Sequence, residues 1–288
     1  MKEILKNYKY KLLTIFTLGL VYTGFNYYFE PFSKSNKNVE LFPTFLLSIT
    51  IVCFYVIPVI FLLRYLIRRL NVSRQAVAYS LILGFSICIF LGSEGNSLLS
   101  LILLSLKIPE RILVDWGSSM TAPIAEELAK GLVVLLVYLF CKKISLRTVF
   151  VCSLISGFCF QVLEDIFFIH AATFGNEISG FEQAFERVSY ALGSHMVFTI
   201  LFGVGLIVLI KKDTEISRGK AVLWMLSAVV LHFFWNAPFE EKWIIPVLGS
   251  IGLNLAYNVF TNIDRLDEND QISPEIIVLK GCDCPNNE

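Results

Sequence analysis

The sequence predicts an all-α, polytopic membrane protein with about eight transmembrane helices around a polar cavity inside the bilayer. Two observations predict this fold class. The 288 residues are 56% hydrophobic and only 17% charged, with a mean hydropathy of +0.67, whereas soluble domains carry about a quarter charged residues. The hydrophobic residues also fall into runs long enough to cross a membrane. With a net charge of zero, the composition excludes a disordered chain, a basic nucleic-acid-binding protein and an ordinary soluble enzyme.

Each predicted span is a run of about the 20 apolar residues that a helix needs to cross the hydrocarbon core. The runs are 12–29, 41–63, 76–92, 118–140, 148–171, 190–210, 220–238 and 243–260. A further run, Ser97 to Leu106, is about half a span long and is predicted to be an interfacial or re-entrant helix. The segment 174–189 has aromatic and acidic residues at helical spacing, which predicts a short amphipathic helix on the outer surface that gates access.

Basic residues set the predicted orientation. Most of the 24 lysines and arginines lie before the first span, after the second, fourth and sixth spans, and in the tail. Because cytoplasmic loops carry the excess of Lys and Arg, both termini are predicted to be cytoplasmic in a multi-pass cell-membrane protein. The high content of Asn, Lys, Ile and Phe indicates a bacterial source.

We divide the chain into three parts on this basis. Residues 1–117 form the first three helices and the interfacial helix, 118–260 form a catalytic core of helices four to eight, and 261–288 form a polar cytoplasmic tail. The seven cysteines are odd in number and mostly lie in apolar runs, so they do not indicate a disulfide framework. The role of Cys282 and Cys284 in the tail is left open.

The later spans carry polar residues where they are energetically costly. These residues are Glu126, Glu127 and Lys130 in the fourth span, Glu164 in the fifth, His195 in the sixth, and His232 and Asn236 in the seventh. At about 1.5 Å of rise per residue, they all fall in the outer half of the membrane. Intramembrane ionisable residues usually mark functional sites, so four helices that converge at one depth predict a shared site. Asp165 and His170, nearer the outer end of the fifth span, are predicted to be interfacial.

These side chains are suited to hydrolysis by activated water. A carboxylate and a histidine in a wet cavity can act as general base and proton shuttle, while a histidine and an amide can donate hydrogen bonds to an oxyanion. Lys130 lies one helical turn after Glu126 and is interpreted as its electrostatic partner. The sequence contains no evident Ser or Cys nucleophile motif and no HExxH motif.

Four motifs occur in order on successive spans: EELAK at 126–130, FQVLE at 160–164, His195, and HFFWN at 232–236. This series resembles the PrsW family of intramembrane proteases, which is related to the CAAX-prenyl protease and bacteriocin-processing superfamily. The resemblance covers residues 118–238. It implies a peptidase without a nucleophilic side chain, which acts on membrane proteins such as anti-sigma factors from the outer side. The family has been labelled both glutamic and metallo, and the favoured glutamic interpretation requires no cofactor.

The resemblance also implies a role for each motif residue. Glu127 or Glu126 is the base, His195 assists it, and His232 and Asn236 stabilise the oxyanion. Glu164 stands where the related CAAX enzymes have a histidine, and Asp165 follows it where the family commonly has Asn.

The favoured function is an intramembrane endopeptidase that cuts anti-sigma-factor-like or lipid-anchored membrane proteins near the outer leaflet. The main alternative is a zinc-dependent peptidase with Glu164, His195 and His232 as ligands. An ion- or proton-coupled transporter would instead place polar residues at several depths, and a non-catalytic scaffold would tolerate their loss. The expected partners are a membrane-protein substrate and the lipid bilayer, with no nucleic acid. Substrate identity, metal dependence and oligomeric state are left open.

Overall fold

Helices make up the fold of the computed structural model, which describes residues 2–34, 38–141, 144–175, 179–211, 214–239 and 243–266. In chain order the α-helices are α1 (Lys2–Lys34), α2 (Phe42–Arg69), α3 (Arg74–Ser105), α4 (Glu110–Phe140), α5 (Leu146–Gly175), α6 (Gly180–Tyr190), α7 (His195–Ile210), α8 (Arg218–Trp235) and α9 (Ile244–Asp264). A 3₁₀ turn at Val39–Leu41 precedes α2. These ranges contain no β-strand, so the all-α prediction is confirmed.

The structure supports a membrane protein but confirms fewer than eight spans. By length and composition, α1, α2, α3, α5 and α9 can each cross a membrane, and a sixth span results if α6 and α7, which meet at 46°, form one bent segment. Helix α4 does not qualify as a span by composition, because it carries three ionisable residues, Glu126, Glu127 and Lys130, near its centre. Eight spans therefore remain a prediction, with α4, α7 and α8 as the members that composition alone does not establish.

The expected interfacial helix at Ser97–Leu106 is wrong, because this segment continues α3 without a break to Ser105. The continuity follows from close packing against α4. Gly92 and Gly95 let α4 approach: a Cβ atom at Gly92 would lie 3.3 Å from Glu126 Cγ, and one at Gly95 would lie 3.1 Å from Ala125 Cβ. A continuous helix also satisfies its own backbone hydrogen bonds, which an interrupted segment in lipid does not.

The sixth predicted span begins too early in the sequence-based boundaries. The chain leaves α6 at Tyr190 and starts α7 only at His195, so His195 is the first residue of its helix rather than an interior one. Gly193 explains the break, because its φ of +90° favours glycine and a Cβ atom there would lie 2.7 Å from Gly249 Cα. The turn therefore fixes where His195 enters the core.

Helices α5 and α7 form the centre of the molecule, and most of their residues are buried. Gly157 in the middle of α5 permits their contact, since a Cβ atom there would lie 2.6 Å from the carbonyl oxygen of His195. Ser156 beside it donates a 3.2 Å hydrogen bond to the Lys130 carbonyl oxygen on α4. The backbones of α4, α5 and α7 are thus held together at the level of the motif residues.

The amphipathic helix predicted at 174–189 is present as the shorter α6. Its Gly180 and Ala184 are buried, whereas Phe181 and Phe185 are exposed. The expected aromatic stripe therefore faces outward, and small residues face the protein. At the other end of the chain, α9 continues to Asp264, beyond the predicted tail boundary at 261. Cys282 and Cys284 lie outside the described residues, and the three-part division of the chain stays a prediction.

Candidate active site

Most of the residues singled out in the sequence meet in one cluster between α4, α5, α7 and α8. The polar cluster, as we call it, consists of Glu126, Glu127, Lys130, Glu164, His195 and His232. All of them except Glu164 are buried, and the Glu164 side chain is 17% exposed. The convergence expected from sequence is therefore present in the structure.

Lys130 lies at the centre of the polar cluster. Its Nζ is 2.6 Å from Glu127 Oε1 and 3.8 Å from Glu126 Oε2, so the closer ion pair joins residues three apart rather than the expected pair four apart. Nζ also donates a 3.0 Å hydrogen bond to His195 Nδ1 and lies 4.3 Å from the centre of the Phe160 ring. These contacts give a fully buried ammonium group the partners that it needs in an apolar interior.

The two histidines are oriented by different carboxylates. His232 Nδ1 donates a 3.0 Å hydrogen bond to Glu127 Oε1, and His195 Nε2 donates a 3.0 Å hydrogen bond to Glu164 Oε2. His195 therefore has both ring nitrogens engaged, whereas Nε2 of His232 is buried without a hydrogen-bond partner in the described chain. The rings pack edge to face, 5.0 Å apart, and His232 stacks on Phe198.

The neighbouring glutamates Glu126 and Glu127 have unlike surroundings. Glu127 is fully buried, with Oε1 between Lys130 and His232. Glu126 lines a cavity of about 350 Å³. Its Oε2 makes no hydrogen bond to any residue that the structure describes, and lies 3.6 Å from His232 Nε2 and 3.7 Å from His195 Nδ1. Of the two carboxylates, Glu126 is the one that a molecule in the cavity can reach.

Asn236 is placed close to the polar cluster in the chain but is not joined to it by a side-chain hydrogen bond in the described residues. It caps α8 one turn after His232, and its backbone N–H bonds to the His232 carbonyl oxygen. Its own carbonyl oxygen accepts a 2.6 Å hydrogen bond from Ser119 Oγ on α4. The structure thus ties the end of α8 to α4 and leaves the Asn236 amide for other partners.

Sequence reasoning missed a cation that reaches the polar cluster from outside it. Arg187 on α6 forms ion pairs with Glu164 and, at 2.5 Å, with Asp165. Asp165 is fully buried and also accepts hydrogen bonds from Tyr55 (2.6 Å) and Gln161 (2.9 Å). Asp165 is thus enclosed by protein, while its position near the outer membrane interface stays a prediction. The sequence did contain a signal for the contact with Arg187. Asp165 directly follows Glu164, and two adjacent buried carboxylates require a cation nearby.

The acidic side chains in and beside the polar cluster outnumber the basic ones in the described part of the chain. Four carboxyl groups, those of Glu126, Glu127, Glu164 and Asp165, share the basic side chains of Lys130 and Arg187 in the described part of the chain. With every carboxyl group ionised, two negative charges would be uncompensated in a largely buried site, which is strongly unfavourable. The site therefore requires additional positive charge, supplied by protons or by a divalent cation.

One trio in the cluster has the arrangement of a metal-binding group. Glu126, His195 and His232 each offer one ligand atom, and these atoms lie within 4.8 Å of one another. The trio differs from the expected ligand set by one residue, with Glu126 in the place of Glu164. One carboxylate and two imidazoles suit a catalytic zinc site, and Glu127 and Glu164 behind the imidazoles match the carboxylate–histidine–zinc pattern. The donor set fits zinc, while Lys130 competes for His195 Nδ1.

Comparison with known families decides the classification. A model of the PrsW family, described as "PrsW family intramembrane metalloprotease", matches residues 72–262. The chain belongs to this family. The PrsW match extends beyond the expected 118–238 at both ends and includes α3, whose contact with α4 positions Glu126. No curated relative and no solved structure matches the chain.

Family membership and the apolar helices together establish the broad activity. The protein is an intramembrane peptidase, and its substrate is a membrane protein in a lipid bilayer. Membership leaves the catalytic type to be argued from the site itself.

Proposed function

We propose that Glu126 is the general base of this PrsW protease and activates a water molecule for attack on the peptide bond. The proposal rests on the contrast between the two neighbouring glutamates. Glu126 lines the cavity, whereas Glu127 is enclosed by Lys130 and His232. A base must reach the proton that it removes. This proposal selects Glu126 where the sequence left both residues open.

The water is proposed to lie between Glu126 Oε2 and His232 Nε2. Both atoms are buried without a hydrogen-bond partner among the described residues, and they are 3.6 Å apart, so one bridging water would pair with each of them. Glu127 holds the Nδ1–H of His232 and thereby presents the unprotonated Nε2 to the water. This use of a carboxylate to fix an imidazole tautomer parallels the logic of a catalytic triad.

The reaction then follows from these positions. As the water oxygen bonds to the carbonyl carbon, one of its protons passes to Glu126, while His232 Nε2 accepts a hydrogen bond from the other O–H and orients the water. When the C–N bond breaks, the same proton is delivered to the leaving amine. Asn236, at the end of α8, is proposed to donate a hydrogen bond to the carbonyl oxygen as it becomes negative, while Lys130 and Glu164 hold His195 in place.

The proposed substrates are anti-sigma-factor-like or lipid-anchored membrane proteins, cut near the outer leaflet. This rests on the motif resemblance and on the predicted orientation, which places the polar cluster in the outer half of the bilayer.

Cleavage by reconstituted protein tests the general base. Wild type and Glu126→Gln in liposomes are compared on a panel of single-span membrane proteins, with product masses read by mass spectrometry. Loss of the base is expected to lower the rate by about 10²–10⁴-fold. Glu94→Gln, an exposed glutamate on α3, is the matched control and is expected to cut normally. Cleavage by Glu126→Gln at the wild-type rate would refute the assignment.

A zinc-dependent peptidase is the second candidate, and the trio of Glu126, His195 and His232 favours it together with the missing positive charge. These residues would hold the ion, and bound zinc supplies a water of lowered pKa. Metal content per protein and activity after chelation separate the candidates. Full activity at negligible zinc content supports the metal-free base, whereas zinc at one ion per chain and chelator-sensitive cleavage support the metal.

A Lys130 variant gives a second readout that does not depend on activity. Removal of the ammonium group by Lys130→Met leaves His195 Nδ1 without its hydrogen-bond donor. If the trio is a zinc site, this change is expected to raise zinc affinity, which is measured by titration of the detergent-solubilised protein. An unchanged or undetectable affinity counts against the zinc candidate.

A further inference from the structure

The cavity beside Glu126 has two chemically different walls. Its residues come from α1, α3, α4 and α5, and they include both Glu126 and Glu164. One group of lining residues, here the polar wall, consists of Ser93 and Asn96 on α3. A second group, here the aromatic wall, consists of Phe167 and Phe168 on α5. Since Glu126 lies in the same cavity, an occupant of the cavity lies next to the proposed base.

Asn96 in the polar wall has no hydrogen-bond partner within the described chain. Its Oδ1 is buried and unpaired, although the neighbouring Ser93 hydroxyl accepts a 2.6 Å hydrogen bond from Tyr27. Asn96 is only partly buried, but a buried carbonyl oxygen without a hydrogen-bond donor is costly, and such groups are rarely left without a role. A primary amide offers both an acceptor and a donor, which is the complement of one peptide group of an extended chain.

The aromatic wall suits a bulky apolar side chain. At about 350 Å³, the cavity lies at the lower end of the range of about 300–1,000 Å³ typical of sites that enclose a small ligand. A single extended segment with one large side chain fits these limits.

We propose that this cavity binds the substrate as a locally extended segment, with Asn96 paired to a backbone peptide group and the aromatic wall around a large apolar side chain next to the scissile bond. The inference rests on the proposed function and names its substrate class. A helix that unwinds in a membrane loses hydrogen bonds that lipid cannot replace. Asn96 compensates one peptide group at the place where hydrolysis requires the segment to be unwound.

Binding is tested separately from cleavage by photo-cross-linking. The probe is a synthetic single-span Leu/Ala peptide with a benzoylphenylalanine in its outer segment, bound to the Glu126→Gln protein in liposomes. We expect cross-links on α3 and α5 and about a tenfold lower yield with Asn96→Ala. Asn254→Ala removes an exposed amide on α9 and is expected to leave the yield unchanged. Equal yields for both alanine variants, or cross-links spread over other helices, would overturn the proposal.

A change in substrate selectivity is the second test of the proposed cavity. Ala171→Phe adds bulk to the cavity lining, so substrates with Phe or Leu near the cut are expected to lose at least tenfold in kcat/KM relative to those with Ala. Ala78→Phe, exposed on α3 outside the cavity, is the control for added bulk. Normal cleavage with unchanged selectivity in Ala171→Phe refutes the cavity but keeps Glu126 as the base. Cross-linking that depends on Asn96, together with cleavage by Glu126→Gln at the wild-type rate, supports the cavity and refutes the base.

Discussion

The adjacent glutamates Glu126 and Glu127 on α4 have different surroundings, and we propose different roles for them. Glu127 stabilises the buried Lys130 and fixes the His232 ring, while Glu126 makes no hydrogen bond through its Oε2 within the described chain and lines the cavity. Consecutive residues on a helix point about 100° apart, so packing by α8 selects which carboxylate is enclosed. Under the proposed function, Glu127 stabilises the site and Glu126 acts as the base.

This division predicts different stability effects for the same substitution. Glu127→Gln removes the closest anion of a fully buried lysine and is expected to lower the free energy of unfolding by about 3–5 kcal/mol. Glu126→Gln is expected to change it by less than about 1 kcal/mol, because the Lys130 Nζ is 3.8 Å away. Unfolding of the detergent-solubilised variants measures both. Equal losses for the two variants would contradict the division.

The sequence predicts which residues form the candidate site better than it predicts which of them form ion pairs and hydrogen bonds with each other. Motif order and common depth suffice to select Glu126, Glu164, His195 and His232, because intramembrane ionisable residues are rare. Sequence spacing suggests that Lys130 pairs with Glu126, but the position of His195 draws the ammonium group towards Glu127 instead. Side-chain pairing across helices depends on packing that spacing along one helix does not contain.

Among the elements, α6 shows how a surface segment contributes to a buried site. Its Gly180 and Ala184 pack on the protein, and Arg187 reaches both Glu164 and Asp165 on α5. Since Glu164 also accepts a hydrogen bond from His195, the position of α6 affects the polar cluster. Sequence analysis predicts the helix from its periodicity but not this contact, because the pairing depends on how α6 folds back over α5.

Removal of the Arg187 charge is expected to release α6. In Arg187→Met, Glu164 and Asp165 lose their shared cation, so backbone amides of 180–190 should exchange faster with deuterated solvent and cleavage should fall at least tenfold. Arg187→Lys keeps the charge without the forked geometry and should restore part of both. Arg218→Met, an exposed arginine on α8, is the control. Unchanged exchange in Arg187→Met would refute the coupling.

The close contact between α5 and α7 depends on the absence of a side chain at Gly157. A Cβ atom at Gly157 would lie 2.6 Å from the His195 carbonyl oxygen and 2.7 Å from Met196 Cα, so Gly157→Ala must push the start of α7 away. We expect a loss of stability of about 1–3 kcal/mol and a larger fractional loss of cleavage, because His195 moves with its helix.

Gly117→Ala is the matched variant for this test. Gly117 lies in α4, where an added Cβ atom would have no neighbouring atom within 4 Å, and alanine is favoured over glycine in a helix by about 1 kcal/mol. It is expected to be neutral or slightly stabilising in the same unfolding and cleavage assays. Similar behaviour of the two variants would show that α5–α7 contact does not set the site geometry.

For the whole molecule, the continuity of α3 simplifies the topology. Because Ser97–Leu106 is part of α3, it adds no crossing, and the helices that correspond to the eight predicted spans are α1–α5 and α7–α9. An even number of crossings returns the chain to its starting side. If all eight helices cross the bilayer, the distribution of Lys and Arg predicts that this side is the cytoplasm.

Labelling with a membrane-impermeant thiol reagent checks this topology. In a background with Cys53, Cys282 and Cys284 replaced by Ser, Ser179→Cys before α6 is expected to react from outside the cell. Glu215→Cys between α7 and α8 is expected to react only after permeabilisation. Both positions are exposed in the structure, so accessibility to the reagent is not limited by packing. The reverse pattern would invert the orientation and place the polar cluster in the inner half of the bilayer.

The wall of the cavity is assembled from two parts of the chain that differ in their relation to the family. Glu126, Asn96 and the aromatic wall lie within the segment that the PrsW family shares, whereas Tyr27 and Pro31 on α1 lie outside it. If the cavity binds the substrate as proposed, exchange of α1 is expected to alter which sequences are accepted without altering the proposed base. A chimaera that carries a foreign first helix would then be a means of retargeting the enzyme.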